Sequence, residues 1–161
     1  MPKVEELTKS KTVSDVIEAL HFFAKAVNFN VQGAGKYFRD SFSLVWHHDE
    51  SIRNECISCF KNVFLTDGAS SDALPLPPAE IATNLAGLVN RCGASEMASL
   101  DKLVGELFKA ELDTSVISSI WSKILAIFRE EDRSHDQSRL FAGLVKVRNM
   151  QNINVQFCND V

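Results

Sequence analysis

Glycine and proline are scarce, seven and four in 161 residues, which is too few turn-formers for an all-β chain. Tyrosine occurs once against eleven phenylalanines, a bias toward purely apolar packing. No apolar run approaches the about 18 residues that a membrane-spanning helix needs, so no membrane contact is expected. The opening MPKVEELTKSKT is charged and has no apolar core, so it does not read as a secretory signal. Four cysteines fall short of a disulfide framework and are expected to be reduced thiols of an intracellular protein. The formal net charge of −4 lacks the positive excess of a general nucleic-acid binder. There is no Gly-rich phosphate loop, no HExxH and no GxSxG. His21 and His135 have no Ser or Cys partner at a recognised spacing. Neither enzymatic activity nor a cofactor is expected.

What is present is one amphipathic helix after another. Between Tyr37 and Leu65, Phe38, Phe42, Val45 and Trp46 fall at spacings of three and four. Ile52, Cys56, Cys59, Phe60 and Val63 repeat the pattern, which is one face of a 3.6-residue helix. His47, His48, Asp49 and Glu50 between them leave room only for a tight reversal. Neither helix can bury its stripe alone, so the two must pack on each other and on further helices.

The rest of the chain follows the same form. Residues 1–11 are polar and expected to be flexible. Thr12 to Asp15 resembles a capping box and opens a helix that runs to about Asn28. Phe29, Asn30 and Val31 interrupt it, and a helix beginning at Gln32 ends at Trp46. Gly33 and Gly35 weaken its first turns. Residues 66–77 are a linker: a polar loop, then the stiffer Leu74–Pro78, with Pro78 suited to the first position of a helix. The spacing predicts helices from Ala79 to Arg91 with Gly93 after its end, from a Ser95 cap to about Glu111, from an Asp113 or Thr114 cap to Phe128, and from Ser134 to about Arg148. The tail, 151–161, receives no element. The fold is therefore expected to be all-α over residues 12–150. About seven antiparallel helices, in hairpins of about 40 residues, give the period of HEAT or armadillo solenoids.

Three groups of residues invite a chemical reading. Cys56 and Cys59 form a CxxC, the spacing of a zinc or dithiol motif. There is no second CxxC, and both thiols fall on the apolar stripe, so packing as small hydrophobes is the better reading. His47 to Glu50 has the composition of a metal quartet, but four consecutive residues do not converge easily on one ion, and a solvated turn is expected. Lys36 and Arg39 share a helix face near Lys61, a candidate basic surface. Acidic residues such as Asp40, Asp101 and Glu106 are interleaved with the basic ones, which is what an ordinary solvated helical surface shows.

Leu44, Val45 and Trp46, then Asp49, then Ile52 and Arg53, then Cys56 in a small-residue position, resemble the HEAT-repeat consensus. That resemblance implies hydrogen bonds by Asp49 and Arg53 around the turn, stacking into ladders along a solenoid. Residues 12–23, 28–31, 45–53 and 64–67 are similar to the HEAT-repeat subunits of condensin complexes, and the likeness extends more loosely over Ala79 to Met150. It covers most of this chain and a modest slice of those large proteins. The break from Ser70 to Pro78 and the acidic balance depart from it. The resemblance implies a non-catalytic subunit that binds the kleisin and SMC ATPase heads in mitotic chromosome condensation. It also implies sequence-independent contact with DNA or histones, and residence in the nucleus and on condensed chromosomes, with cytoplasm in interphase. A generic HEAT or armadillo-like scaffold in transport or signalling is the competing expectation.

Overall fold

The computed structural model describes residues 2–67, 74–110, 118–123 and 126. Over the described residues the fold is all-α and solenoid-like. The elements are α1 (Pro2–Leu7), α2 (Val13–Asn28), α3 (Ala34–Asp40), a 3-10 helix (Ser41–Trp46), α4 (Glu50–Phe64), α5 (Pro78–Val89) and α6 (Ala94–Ala110). Residues 118–123 are also helical, and Ile120 and Trp121 are buried there. The remainder of the helix expected to end at Phe128, the helix expected from Ser134 and the tail lie outside the described residues.

The described core is continuous from α2 to Trp121. It contains Leu20 and Phe23 of α2, Phe38 and Phe42, Ile52 and Phe60 of α4, Ile81 and Leu85 of α5, and Leu100, Leu103 and Leu107 of α6. Helix α2 packs on α3 and α4, and the 3-10 helix packs on α4 and α6. Four rings from α3, the 3-10 helix and α4 form a closed circuit. Phe38–Phe42 and Phe42–Phe60 meet edge-on at 5.4 and 5.5 Å, Phe60–Phe64 lie 4.9 Å apart, and Phe38–Phe64 close it at 6.1 Å. Offset and edge-on contacts at these separations suit the ring quadrupoles.

Residues Pro2–Leu7 form a short helix. Helix α1 lies on α2, with Val4 half-buried against the core. The expected capping box at Thr12 takes a different form. The Thr12 side chain makes no cap bond. Its backbone N–H donates to the Ser10 hydroxyl (3.1 Å), which donates in turn to Asp15 Oδ2 (2.8 Å). The carboxylate therefore reaches the helix entrance through Ser10.

The interruption after Asn28 is a helix stop followed by a start. Asn30 has φ of 53°, its N–H bonds Val27 O, and Val31 N–H bonds Ala26 O, each at 2.9 Å. That is the Schellman arrangement, with Asn in the left-handed position. Gly33 caps α3 at φ 81°, a conformation glycine adopts without strain. The next helix therefore starts at Ala34.

The single helix expected to reach Trp46 splits at Ser41. Ser41 Oγ donates to Phe38 O (2.6 Å) and Ser43 Oγ to Asp40 O (3.2 Å). Such side-chain bonds compete for carbonyls that an α-helix would use. The tighter winding, with three residues per turn, buries Phe42 and Val45 together and turns Trp46 outward, to 59% exposure. Trp46 thus leaves the stripe on which its spacing placed it.

The linker returns to its starting point. Thr66 pairs with Pro75 in an isolated bridge, Leu76 N–H bonds Leu65 O (2.8 Å) and Asp67 N–H bonds Leu74 O (3.0 Å). Pro78 then opens α5 at its first position, where its missing N–H costs nothing. Helix α6 starts at Ala94, and Ser95 lies inside its first turn instead of capping it.

Candidate functional site

Asp49 and Arg53 organise the turn between the 3-10 helix and α4. Asp49 has extended backbone and caps α4, its Oδ1 accepting from Ser51 N–H (2.9 Å) and Ile52 N–H (3.4 Å). Arg53 reaches back across the turn, and its Nη1 donates to the carbonyls of His47 (2.8 Å) and His48 (2.9 Å). His47 Nδ1 accepts from Asp49 N–H (3.1 Å), and the two imidazole rings lie 4.2 Å apart. The residues of this turn therefore bond to its own backbone. Asp49→Ala is expected to cost about 0.5–2 kcal/mol of stability, the usual loss for an N-cap, and chemical denaturation followed by circular dichroism measures it.

Of the candidate basic residues, Lys36 is exposed and Lys61 is half-buried. Arg39 is turned toward α6, with Nε 3.6 Å from Glu96 Oε1 and both side chains largely out of solvent. Glu96 Oε2 also accepts the N–H of Gly93, so one carboxylate closes the start of α6 and meets the guanidinium of α3. Beside them, burial first and Glu96 second push the Cys92 thiol up to about 11, against an opposing pull from Arg39. A few residues away, Trp46 Nε1 donates to the buried Ser99 hydroxyl (3.2 Å). Lys102 Nζ, bonded to Glu106 (2.6 Å), stands 5.8 Å from the indole centre, within cation–π range. These contacts fasten α3 and the 3-10 helix onto α6.

Cys56 and Cys59 are both buried on the α4 stripe. Burial, reinforced by the neighbouring Glu55 charge, pushes each thiol up to about 12. Both are protonated at neutral pH, which removes the thiolate that dithiol chemistry requires. They do not act as a pair: Cys56 Sγ points to Ser41 O (3.8 Å) and Cys59 Sγ to Glu55 Oε1 (3.7 Å).

The structure brings together one group that the sequence reading left apart. His21 Nε2 of α2 lies 2.8 Å from Glu55 Oε1 of α4, and the ligand atoms of His21, Glu55 and Cys59 all fall within 4.8 Å of one another. The legible half of this group was the i, i+4 placement of Glu55 and Cys59 on one helical face. His21 is 34 residues away in sequence, and no local spacing indicates it.

Apolar side chains also reach solvent. Phe22 and Phe29, two turns apart, are 45% and 80% exposed, and Val31 beyond them is 46% exposed. No helix of the described residues is long and apolar enough to cross a membrane.

No family model matches the chain. It is 30% identical over 125 residues to condensin complex subunit 1 of Saccharomyces cerevisiae, an alignment covering 74% of this chain and 10% of that protein. It is 24% identical over 121 residues to condensin complex subunit 1 of Xenopus laevis, covering 74% of this chain and 9% of that protein. The chain thus spans about a tenth of the length of these relatives, and it is weakly homologous to condensin complex subunit 1.

Proposed function

We propose that this chain is a HEAT-type segment of a condensin subunit and works as a non-catalytic binding module for the kleisin and an SMC ATPase head. The observation that carries this reading is the alignment with condensin complex subunit 1 from two organisms, each covering 74% of the chain. The architecture supports it. A continuous core with bonded turns makes a stiff surface for an extended partner. Phe22, Phe29 and Val31 supply exposed apolar area of the kind that marks protein contacts. The chain acts in mitotic chromosome condensation, in the nucleus and on condensed chromosomes, and in the cytoplasm in interphase. ATP hydrolysis belongs to the SMC partners. DNA or histone contact by the α3 face rests on Lys36, because Arg39 is engaged by Glu96.

The test is co-expression with the kleisin and the SMC head of the same organism, followed by pull-down at two salt concentrations. Retention that persists at the higher salt is expected, since an apolar contact is screened little by salt. No retention of a chain shown to be helical by circular dichroism would overturn the reading and leave a generic HEAT-type scaffold.

A further inference from the structure

We propose that His21, Glu55 and Cys59 form a binding site for a zinc-class divalent metal ion that clips α2 to α4.

The donor set is the first argument. An imidazole nitrogen, a carboxylate oxygen and a thiol sulfur are the three ligand types that zinc combines, in tetrahedral sites with one position left for water. The geometry is the second. A tetrahedral ion at ordinary zinc bond lengths holds its ligand atoms about 3.3–3.7 Å apart. Here the His21–Glu55 separation is 2.8 Å, the Cys59–Glu55 separation is 3.7 Å, and all three atoms lie within 4.8 Å. Coordination asks the imidazole and carboxylate to part by about 0.6 Å and the widest pair to close by about 1.3 Å at most. Access is the third. The His21 and Glu55 side chains are 41% and 29% exposed, so an ion enters from solvent, and the two side chains have room to adjust. Cys59 lies beneath them with its Sγ directed at the carboxylate. As the sulfur–metal bond forms, the thiol proton leaves to solvent and the thiolate binds. Because the ligands come from two helices, binding ties the first layer of the array to the second and favours the folded chain.

The probe is Co(II), titrated into the full chain under a non-thiol reductant. One equivalent is expected to produce the intense sulfur-to-cobalt charge-transfer band together with the visible bands of a tetrahedral ion, and zinc is expected to bleach both. Cys59→Ser is expected to abolish the charge-transfer band. His21→Gln and Glu55→Gln are each expected to weaken Co(II) binding more than about tenfold, because even outer-shell partners of a metal site typically cost 10- to 100-fold. Cys56→Ser, and a double His47→Gln, His48→Gln variant, are expected to bind as the parent does. His21 is half-exposed, so its variant keeps the test decisive should Cys59→Ser fail to fold. The proposal is overturned by the absence of a charge-transfer band in a folded chain, by a band that survives Cys59→Ser, or by unchanged affinity in His21→Gln.

Discussion

Replacing Phe60 with alanine is expected to remove about 3–5 kcal/mol of stability, the range for emptying a large aromatic side chain from a core. Phe60 is fully buried, and it is one member of the four-ring circuit, with neighbours Phe42 and Phe64 at 5.5 and 4.9 Å. Its loss opens a cavity at the point where α4 meets the 3-10 helix, and it also removes two ring pairs that contribute about 0.5–1.5 kcal/mol each beyond their area. The same change at Phe29, which is 80% exposed, is expected to stay within about 0.5 kcal/mol. Denaturant titration of both variants by circular dichroism gives the comparison. A Phe60→Ala loss no larger than that of Phe29→Ala would mean that the ring circuit does not hold α4 in place.

Leu103→Ala is expected to cost about 2–5 kcal/mol and to act locally. Leu103 is fully buried in α6, which packs chiefly on the 3-10 helix. In a stacked array each unit contacts its neighbours alone, so damage at one end spreads weakly to the other. Hydrogen exchange is expected to show α6 and Ser41–Trp46 losing protection first, with the interior of α2 keeping most of its own. Equal loss along the whole chain would instead describe a single cooperative unit in which α6 is not a separable layer.

The helices whose apolar residues repeat cleanly were legible in the sequence. Helix α2 stops at Asn28 as its pattern predicts. The stripe Ile52, Cys56, Cys59 and Phe60 is buried as its spacing requires, because periodicity reports directly on which face loses water. Pro78 opens α5 for a local reason that holds in any context. The 3-10 segment was not legible, since two serine hydroxyls close to the backbone decide it and leave the apolar spacing almost unchanged. The outward turn of Trp46 is not legible for the same reason. The part Ser10 plays between Thr12 and Asp15 is not legible either, because a capping-box pattern involves only the two end residues. At the candidate site a bonding role for Asp49 in the turn follows from the HEAT resemblance, while His21 and Glu55 meet only after α2 has packed on α4. Arg39 looked like an open cation because its partner, Glu96, lies on a helix far along the chain.

The 3-10 helix from Ser41 to Trp46 also has a mechanical consequence. Six residues rise about 12 Å in a 3-10 helix and about 9 Å in an α-helix. Over the same span the winding differs by about 120°, from three against 3.6 residues per turn. Length and rotation are therefore geared to each other at this point. A pull along the chain favours the longer, more tightly wound form, and slack favours the shorter one. The residue at the end of this crank is Trp46, whose indole is bonded to α6 through Ser99. A change between the two windings would therefore turn Trp46 against α6, to which Ser99 holds it.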